Sequence, residues 1–459
     1  IFALLFNAIY MKIIIAGAGE VGFHLAKLLS FESQDITLID NKKSNLNIAE
    51  NQLDIKTIEG NSASISVLKE ANVENCDLVV SLTTSETTNF TTCFLAKQLG
   101  AKRTIARISN SEFIEGSQEI DFGSIGIDEL ISPESLATEE IKLLIHESAF
   151  NNSHDFEDGI LKMMGVKLEK NAPFVGKTVM ESASVYPGVH FMPIAIKKEG
   201  SDNTIIPRGD TVFDLGDQVY FITNHKGLTE LYDLLGTEKQ NIENIMILGA
   251  GRIGSKLARD LSSEGLNVKI IEIDKEKANN LAEELNNVMM LNVDGRNVDL
   301  LVEENLENMD AFIATTGNSE TNIMSCLMAK SKNIKKTIAL VENMDYFNLS
   351  QSIGIDTLIN KKLLAANDIF RFVRKGDVVE LAKLNNMDAE IVEFNVSENS
   401  KVLNKKIVNL NFPREAIIGG VIRNDEGLIV LGDFEIQLGD RVLVCSSPEA
   451  LNKVESLFL

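Results

Sequence analysis

The sequence has few of the residues that build disulfide frameworks and metal centres. Its 459 residues include four cysteines and five histidines. The cysteines (Cys76, Cys93, Cys326 and Cys445) lie far apart, without a CxxC pair or a close histidine. Such spacing is typical of proteins in a reducing compartment. The sequence therefore predicts neither structural disulfides nor a bound metal ion.

Basic residues are also scarce relative to acidic ones. The chain carries 44 lysines and arginines against 67 aspartates and glutamates, which gives a formal net charge of −23. A surface of that sign repels the phosphate backbone of DNA and RNA. The composition therefore argues against a nucleic-acid partner.

Long hydrophobic runs are missing as well. The first ten residues, IFALLFNAIY, are apolar and lack the basic start of a signal peptide. A membrane-spanning helix needs about 20 such residues, so this segment is too short. Met11 directly precedes KIIIAGAGEVG, which has the pattern of a first strand. We therefore predict a soluble chain and hypothesise that the native protein starts at Met11.

The sequence does contain an internal repeat. MKIIIAGAGEVGFHLAKLLS, which begins at Met11, recurs as ENIMILGAGRIGSKLARDLS. Gly17 and Gly249 are 232 positions apart, and Thr104 and Thr337 are 233 apart. One inserted residue therefore separates the two copies over about ninety positions. A register kept over that length indicates duplicated domains.

Each copy alternates short apolar strands with amphipathic helices, which is the pattern of a doubly wound parallel sheet of the Rossmann type. A shorter segment with several strands and a final helix follows each copy, and a Gly-Asp pair precedes its last strand. The predicted fold class is therefore α/β, with a small α+β domain after each Rossmann-like domain. The predicted domains are residues 11–135 and 243–362 (nucleotide-binding) and residues 136–238 and 363–459 (a linking helix with a small domain).

A nucleotide-binding motif opens each repeat. GAGEVG at residues 17–22 follows a predicted strand and begins a predicted helix, and Asp40 ends the next strand, 23 positions after Gly17. The glycines permit a tight turn, close approach of a pyrophosphate, and close packing of helix on strand. The carboxylate accepts hydrogen bonds from a ribose, and its charge favours NAD(H) or an adenine nucleotide over NADP. The predicted binding residues of the two motifs are Gly17, Ala18, Gly19, Glu20, Val21, Gly22 and Asp40 in the first copy, and Gly249, Gly251, Arg252, Ile253, Gly254 and Glu272 in the second.

Two charged residues inside the motifs predict different ligand preferences. Glu20 repels a terminal phosphate, whereas Arg252 in the second copy can pair with one, and an ordinary surface arginine is the alternative interpretation. We therefore hypothesise that the two sites prefer different nucleotides.

Polar residues after later strands are further candidates. Asn61, Thr83 and Asn89 in the first copy, and Asp294 in the second, either contact the ligand or cap loops, and Arg107 in the first copy is a further candidate ligand contact. Leu340 stands where the first copy has Arg107, which favours the first site over the second.

The ordered motifs resemble the RCK/KTN family of potassium-transport regulators. The resemblance covers the chain from Met11 and rests on MKIIIAGAGEVG, ITLID, GNSAS, TTSETTN, IGIDELISPE, the PRGD–LGD pair and the duplication. It implies that the four domains alternate RCK N-terminal and RCK-C modules. The second small domain departs from the pattern, because VLGDFEIQLGD lacks the Pro-Arg of the first. The family's nucleotide site maps onto Gly17, Gly19, Gly22, Asp40 and Asn61, and onto Gly249, Gly251, Gly254, Glu272 and Asp294.

The resemblance also implies partners and a location. Members of the family bind NAD(H) or ATP/ADP and form a cytoplasmic ring at the inner face of the cell membrane. That ring is a homotetramer with eight RCK units, and it gates a TrkH-like integral-membrane potassium transporter subunit. The chain is therefore expected to be a nucleotide-sensing regulatory subunit for potassium uptake and not an enzyme.

Two alternatives stay open at this point. An NAD-dependent oxidoreductase needs an acid–base group beside the nicotinamide, yet the five histidines do not recur at equivalent places in the two halves. A regulator of another ion transporter shares the same sites and differs only in its partner. The residues alone leave open which nucleotide is the signal and whether the second site binds one.

Overall fold

Two Rossmann domains and two small antiparallel domains alternate along the chain in the computed structural model, which confirms the predicted fold class. The structure describes residues 11–31, 34–110, 112–115, 120–147, 150, 152–157, 159–170, 172–184, 190–201, 203–235, 241–343, 346, 354–373, 378–384 and 387–458. Residues 1–10, which concern the hypothesis about the start at Met11, lie outside the described residues. In the described part of the chain, no helix has the length and apolar character needed to cross a bilayer.

The first Rossmann domain is a parallel sheet covered by helices. Its strands are β1 (Lys12–Ala16), β2 (Asp35–Asp40), β3 (Lys56–Glu59), β4 (Leu78–Ser81), β5 (Arg103–Arg107) and β6 (Glu129–Ile131), and its helices are α1 (Glu20–Phe31), α2 (Lys43–Gln52), α3 (Ile65–Glu70), α4 (Glu86–Leu99) and α5 (Glu112–Glu115). The strand order is β3-β2-β1-β4-β5-β6. The order reverses between β1 and β4, and ligands of such sheets bind at the carboxyl ends of the strands at that point.

The first small domain follows the linking helix α6 (Pro133–His146). Its strands are β7 (Asn152–Phe156), β8 (Leu161–Lys167), β9 (Phe191–Lys197), β10 (Thr204–Ile205) and β11 (Gln218–Thr223), and its helices are α7 (Val179–Ala183) and α8 (His225–Leu235). The sheet is antiparallel in the order β10-β9-β11-β8-β7. Gly216, in the Gly-Asp pair before β11, has a φ of 84°, which a tight turn requires and glycine adopts without strain.

The second Rossmann domain repeats the first. Its strands are β12 (Asn244–Leu248), β13 (Asn267–Ile271), β14 (Val288–Leu291), β15 (Ala311–Ala314), β16 (Lys336–Leu340) and β17 (Thr357–Ile359), and its helices are α9 (Arg252–Ser263), α10 (Lys275–Glu284), α11 (Val298–Glu303) and α12 (Ser319–Ser331). The parallel order β14-β13-β12-β15-β16-β17 is that of the first sheet. The duplicated register in the sequence therefore corresponds to a duplicated sheet.

The second small domain repeats the antiparallel architecture. The linking helix α13 (Lys361–Val373) leads to β18 (Val378–Lys383), β19 (Glu390–Asn395), β20 (Ala416–Arg423), β21 (Glu426–Leu428), β22 (Arg441–Ser446) and α14 (Pro448–Phe458). The strands are ordered β18-β19-β22-β20-β21. Gly439, before β22, has a φ of 82°, so both Gly-Asp pairs form the same kind of turn.

Helix α13 packs on the first Rossmann domain. The described residues up to 138, together with residues 360–373, form one compact unit, and the remainder forms another. Within the first unit α13 lies along α1. Its most buried residues are Ala365, Ala366, Ile369 and Phe370, a spacing that places them on one side of the helix. A helix encoded after the second Rossmann domain thus covers the first.

Two basic residues, each at the start of a Rossmann strand, donate hydrogen bonds to backbone carbonyl groups at or shortly after the carboxyl ends of the linking helices. Arg103, which begins β5, donates from Nη1 to the carbonyl oxygen of Phe372 at 3.1 Å. Its guanidinium carbon lies 5.0 Å from the centre of the Phe372 ring. Lys336, which begins β16, donates from Nζ to the carbonyl oxygen of Phe150, shortly after α6, at 2.5 Å. Unpaired carbonyls near helix ends attract cations, so both contacts are favourable.

The buried Lys336 ammonium is expected to make stability depend on alkaline pH. Burial lowers the pKa of Lys336 to about 8, and the nearby Asp356 opposes this shift only in part. An unfolded lysine titrates near 10.4. Above pH 8 the folded protein loses this proton while the unfolded chain keeps it, so stability rises with pH by up to about 1.4 kcal/mol per unit until the unfolded lysine titrates.

The measurement is the difference in melting temperature between the wild-type protein and Lys336→Met at pH 7, 8, 9 and 10. We expect the melting temperature of the wild-type protein to rise relative to that of the variant as pH rises through this range. A difference that does not change with pH contradicts the assignment.

Candidate nucleotide sites

The first glycine motif forms a tight turn between β1 and α1. Gly17 has a φ of 107°, and a Cβ placed there would lie 3.0 Å from the backbone of Leu82 and Thr83. A Cβ on Gly22 would lie 1.9 Å from the carbonyl oxygen of Gly17. A Cβ on Gly19 would meet nothing within 4 Å. The outer two glycines are therefore required by the fold, whereas the middle one leaves space at the start of the helix.

Asp40 closes this turn from the end of β2. Its Oδ2 accepts a hydrogen bond from the backbone N–H of Ala18 at 2.7 Å, and its Oδ1 accepts one from that of Lys42 at 2.8 Å. Asn45 Nδ2 also donates to Oδ1, at 3.4 Å, and each carboxylate oxygen can accept two bonds, so Oδ2 remains able to bind a ribose hydroxyl. Ala18 and Val21 are buried, so their side chains pack against the domain while the first N–H groups of α1 lack intrahelical partners.

A buried asparagine holds the loop that faces this turn. The side chain of Asn89, 1% exposed, accepts from the backbone N–H of Thr83 at 2.9 Å and donates to the carbonyl oxygen of Arg107 at 2.8 Å. Asn322 makes the equivalent bonds to Thr316 and to the carbonyl oxygen of Leu340. Thr83 is thus tied into the loop by Asn89. The recurrence of asparagine at both positions is the sequence signal for this role.

Arg107 and Asn61 have protein partners of their own. The Arg107 Nη2 atom lies 3.9 Å from Oε1 of Glu134. Asn61 Oδ1 accepts from the backbone N–H of Ala63 at 3.0 Å, as in a loop cap, and the residue is exposed. The structure therefore brings Gly17, Ala18, Gly19 and Asp40 together, and it directs Arg107 towards an acidic side chain. Contact of these residues with a ligand stays a prediction.

The second glycine motif has the same backbone shape. Gly249 has a φ of 98°, and a Cβ on Gly254 would lie 1.9 Å from the Gly249 carbonyl oxygen. A Cβ on Gly251 would have its nearest neighbour, the carbonyl oxygen of Thr315, at 3.9 Å, so space is again left at the middle glycine. Ile253 is buried, and Arg252 is exposed at the first position of α9.

The carboxylate of the second site already has a cationic partner. Glu272 Oε2 accepts from Nζ of Lys277 at 2.6 Å and from the backbone N–H of Ala250 at 3.3 Å. Burial raises the pKa of Glu272, but the bonds from Lys277 and from the backbone of Asp274 outweigh this effect and hold the pKa below its usual range. Asn45 stands at the Lys277 position in the first copy and lies 3.4 Å from Asp40. The two sites therefore differ in the charge of the side chain that binds the carboxylate, which is an amide on Asp40 and an ammonium on Glu272.

Asp294 is likewise engaged by a neighbour. Arg296 donates from Nε to Oδ1 at 3.0 Å and from Nη2 to Oδ2 at 2.8 Å. These hydrogen bonds hold the pKa of Asp294 below its usual range. The residue predicted as the counterpart of Asn61 is thus an exposed ion pair in this structure.

Two lysines of α13 reach acidic residues beside the first site. Lys362 donates from Nζ to Oε2 of Glu20, the first residue of α1. Lys361 donates from Nζ to Oε1 of Glu134 at 3.1 Å. Asn360 caps the helix, because its Oδ1 accepts from the backbone N–H groups of Lys362 and Leu363 at 3.0 and 3.2 Å. The negative charge of Glu20, from which a repulsion was predicted, is therefore paired with a lysine more than 340 positions away in the sequence.

The geometry of the first site fits an adenine nucleotide with a diphosphate. The glycine turn, with its open space at Gly19 and the start of α1, suits a diphosphate. The Asp40 carboxylate suits a ribose, and both groups occupy these positions in nucleotide-binding Rossmann folds. The backbone of the second site has the same shape and fits the same ligand. The second site differs from the first in that Lys277 binds its carboxylate, Glu272. The fold and the two turns thus define a duplicated Rossmann-type protein.

Comparison with known families identifies all four domains. The TrkA-N domain matches residues 13–133 and 245–361, and the TrkA-C domain matches residues 163–236 and 391–459. The chain therefore belongs to the TrkA family.

Individual relatives match over nearly the whole length. The chain is 32% identical over 461 aligned positions to a Trk system potassium uptake protein TrkA homolog of Methanosarcina mazei, which covers 98% of this chain and 100% of the relative. It is 32% identical to the Trk system potassium uptake protein TrkA of Halomonas elongata, with 98% of each chain covered. The solved structure of the GsuK channel bound to NAD has a TM-score of 0.62 at 16% identity and covers 98% of this chain and 79% of that one. This last likeness shows the fold.

Proposed function

We propose that the chain is a nucleotide-sensing regulatory subunit that gates a TrkH-like integral-membrane potassium transporter from the cytoplasmic face of the membrane. The observation that carries the proposal is the geometry of the first site, in which Asp40 is fixed against the turn and Gly19 leaves space for phosphates. Relatives named for potassium uptake supply the context. The signal is NAD(H), ATP or ADP, held by the predicted residues of the first motif.

Regulation follows if nucleotide binding favours one arrangement of the protein over another. A ligand shifts such an equilibrium only by its difference in affinity for the two arrangements. Four chains of 50.5 kDa, each with two RCK units, would form the ring through which that shift reaches the transporter. This assembly and its location at the membrane are parts of the same proposal.

The first test is a calorimetric titration of the protein with NADH, NAD, ATP and ADP, followed by potassium flux into vesicles that contain a TrkH-like transporter. We expect at least one nucleotide to bind and to change flux only when the protein is present. Binding without an effect on flux contradicts the regulatory role. Turnover of a hydroxy-acid substrate with NAD would favour the oxidoreductase alternative.

The proposal predicts that Lys277→Asn strengthens binding at the second site. The change installs the residue of the first copy and removes the cation that competes with ribose hydroxyls for Glu272. One additional net hydrogen bond of about 1 kcal/mol corresponds to a roughly fivefold gain in affinity. Calorimetry in an Asp40→Ala background isolates the second site, and Lys275→Asn on the same helix is the control. An unchanged or weaker affinity means that Lys277 does not compete with the ligand.

A further inference from the structure

Glu20 and Lys362 form an ion pair where the phosphates of a nucleotide would lie. Glu20 is the first residue of α1, directly after the open position at Gly19. Its side chain is 68% exposed, whereas that of Lys362 is 20% exposed. The lysine is thus fixed by its surroundings, and the glutamate is the partner that is free to move.

The mobile partner and the fixed partner have opposite effects on a phosphate. A carboxylate beside a helix start repels a terminal phosphate, whereas an ammonium forms a charge-assisted hydrogen bond with one. Because Glu20 points to solvent, it can swing away when a phosphate takes its place at Lys362. The exchange keeps Lys362 paired in both states.

Helix α13 holds Lys362 in position for this exchange. Asn360 caps the helix, and Lys361 is bound by the nearly buried carboxylate of Glu134. Arg103 binds the opposite end of the helix. Among the described residues, Oε2 of Glu134 and Nε of Arg107 have no hydrogen-bond partner, so the charged cluster under the helix is not fully satisfied in this state.

We propose that Lys362 is the residue that lets the first site accept nucleotides with a charged terminal phosphate, by releasing Glu20 and binding that phosphate. The inference rests on the proposed nucleotide function and specifies its ligand class, ADP or ATP. It also makes α13, which leads into the second small domain, the element that registers whether a terminal phosphate is bound.

The test is a calorimetric titration of the full chain with ATP and NADH for the wild-type protein, Lys362→Met, Glu20→Gln and the double variant. Each preparation carries Glu272→Ala to silence the second site. In Lys362→Met, Glu20 is left unopposed, so ATP binding is expected to weaken roughly tenfold or more, the size of a hydrogen bond to a charged group. NADH binding is expected to weaken much less. The double variant is expected to recover only the part of the ATP affinity that is lost to repulsion by Glu20, because the bond from Lys362 to the phosphate is still missing.

The ratio of ATP to NADH affinity separates this role from a structural one. If Lys362 only anchors α13, both affinities fall together and the second substitution restores neither. That outcome, or an unchanged ratio in Lys362→Met, overturns the inference while the nucleotide function stands. Absence of binding by the wild-type protein to either nucleotide overturns both. Lys102→Met is the matched control, because Lys102 forms an exposed ion pair with Asp77 in the same domain and its loss is expected to change neither affinity.

Discussion

Gly22→Ala is expected to prevent stable folding of the first Rossmann domain, whereas Gly19→Ala is expected to leave the fold intact and weaken nucleotide binding at least tenfold. A methyl group on Gly22 would lie 1.9 Å from the carbonyl oxygen of Gly17, which belongs to the backbone and cannot move aside. Such overpacking costs about 3 kcal/mol or more. The gain of about 1 kcal/mol in helix propensity from alanine is too small to offset it.

Gly19→Ala is the matched variant, because it adds the same methyl group at a neighbouring position of the same turn. On Gly19 it meets no atom within 4 Å, so the melting temperature is expected to stay unchanged. The methyl group then occupies the space through which a pyrophosphate would approach the backbone, and we expect at least a tenfold loss of affinity. Thermal melting and calorimetry on both variants check the pair. Normal nucleotide binding by Gly19→Ala would contradict the placement of the phosphates.

Asp40→Ala is expected to weaken nucleotide binding at the first site roughly 100-fold, since hydrogen bonds to a charged group contribute about 1.5–3 kcal/mol. The variant loses the acceptor for the ribose, and also the two bonds that fix the backbone at Ala18 and Lys42. Asp40→Asn keeps one acceptor oxygen without the charge, so its nucleotide affinity is expected to lie between those of Asp40→Ala and the wild-type protein.

The measurement is calorimetry with the second site silenced by Glu272→Ala. Asp35→Ala is the control, because Asp35 is an exposed aspartate at the opposite end of the same strand. Its removal is expected to leave the affinity unchanged. Equal binding by Asp40→Ala and the wild-type protein would place the ribose elsewhere.

The duplicated Rossmann domains could be predicted because their signals are local and occur twice. The glycine turns need only the spacing of Gly17, Gly19 and Gly22 and a carboxylate after the next strand, and the second copy repeats that spacing. The small domains were predicted less completely. The sequence predicts several strands there without their bounds, and β8 illustrates the reason, because LKMMGVK does not alternate apolar and polar residues.

The charged partners at both sites could not be predicted, because they depend on tertiary contacts. Lys362 reaches Glu20 only through the packing of α13 on α1. Lys277 lies five positions after Glu272, a distance at which a loop and helix start bring them together, yet the repeat register gives no reason to expect an ion pair. Ligand preference therefore depends on residues that the nucleotide-binding motif does not include.

The position of α13 bears on why the chain is duplicated. A molecule containing only the first half would lack the helix that covers α1, and a second molecule would have to supply it. Such a contact weakens on dilution, whereas a segment of the same chain acts at an effective concentration on the order of millimolar. Joining the halves therefore keeps α1 covered at any expression level, and a cell with few copies of the protein still has the first site in its assembled form.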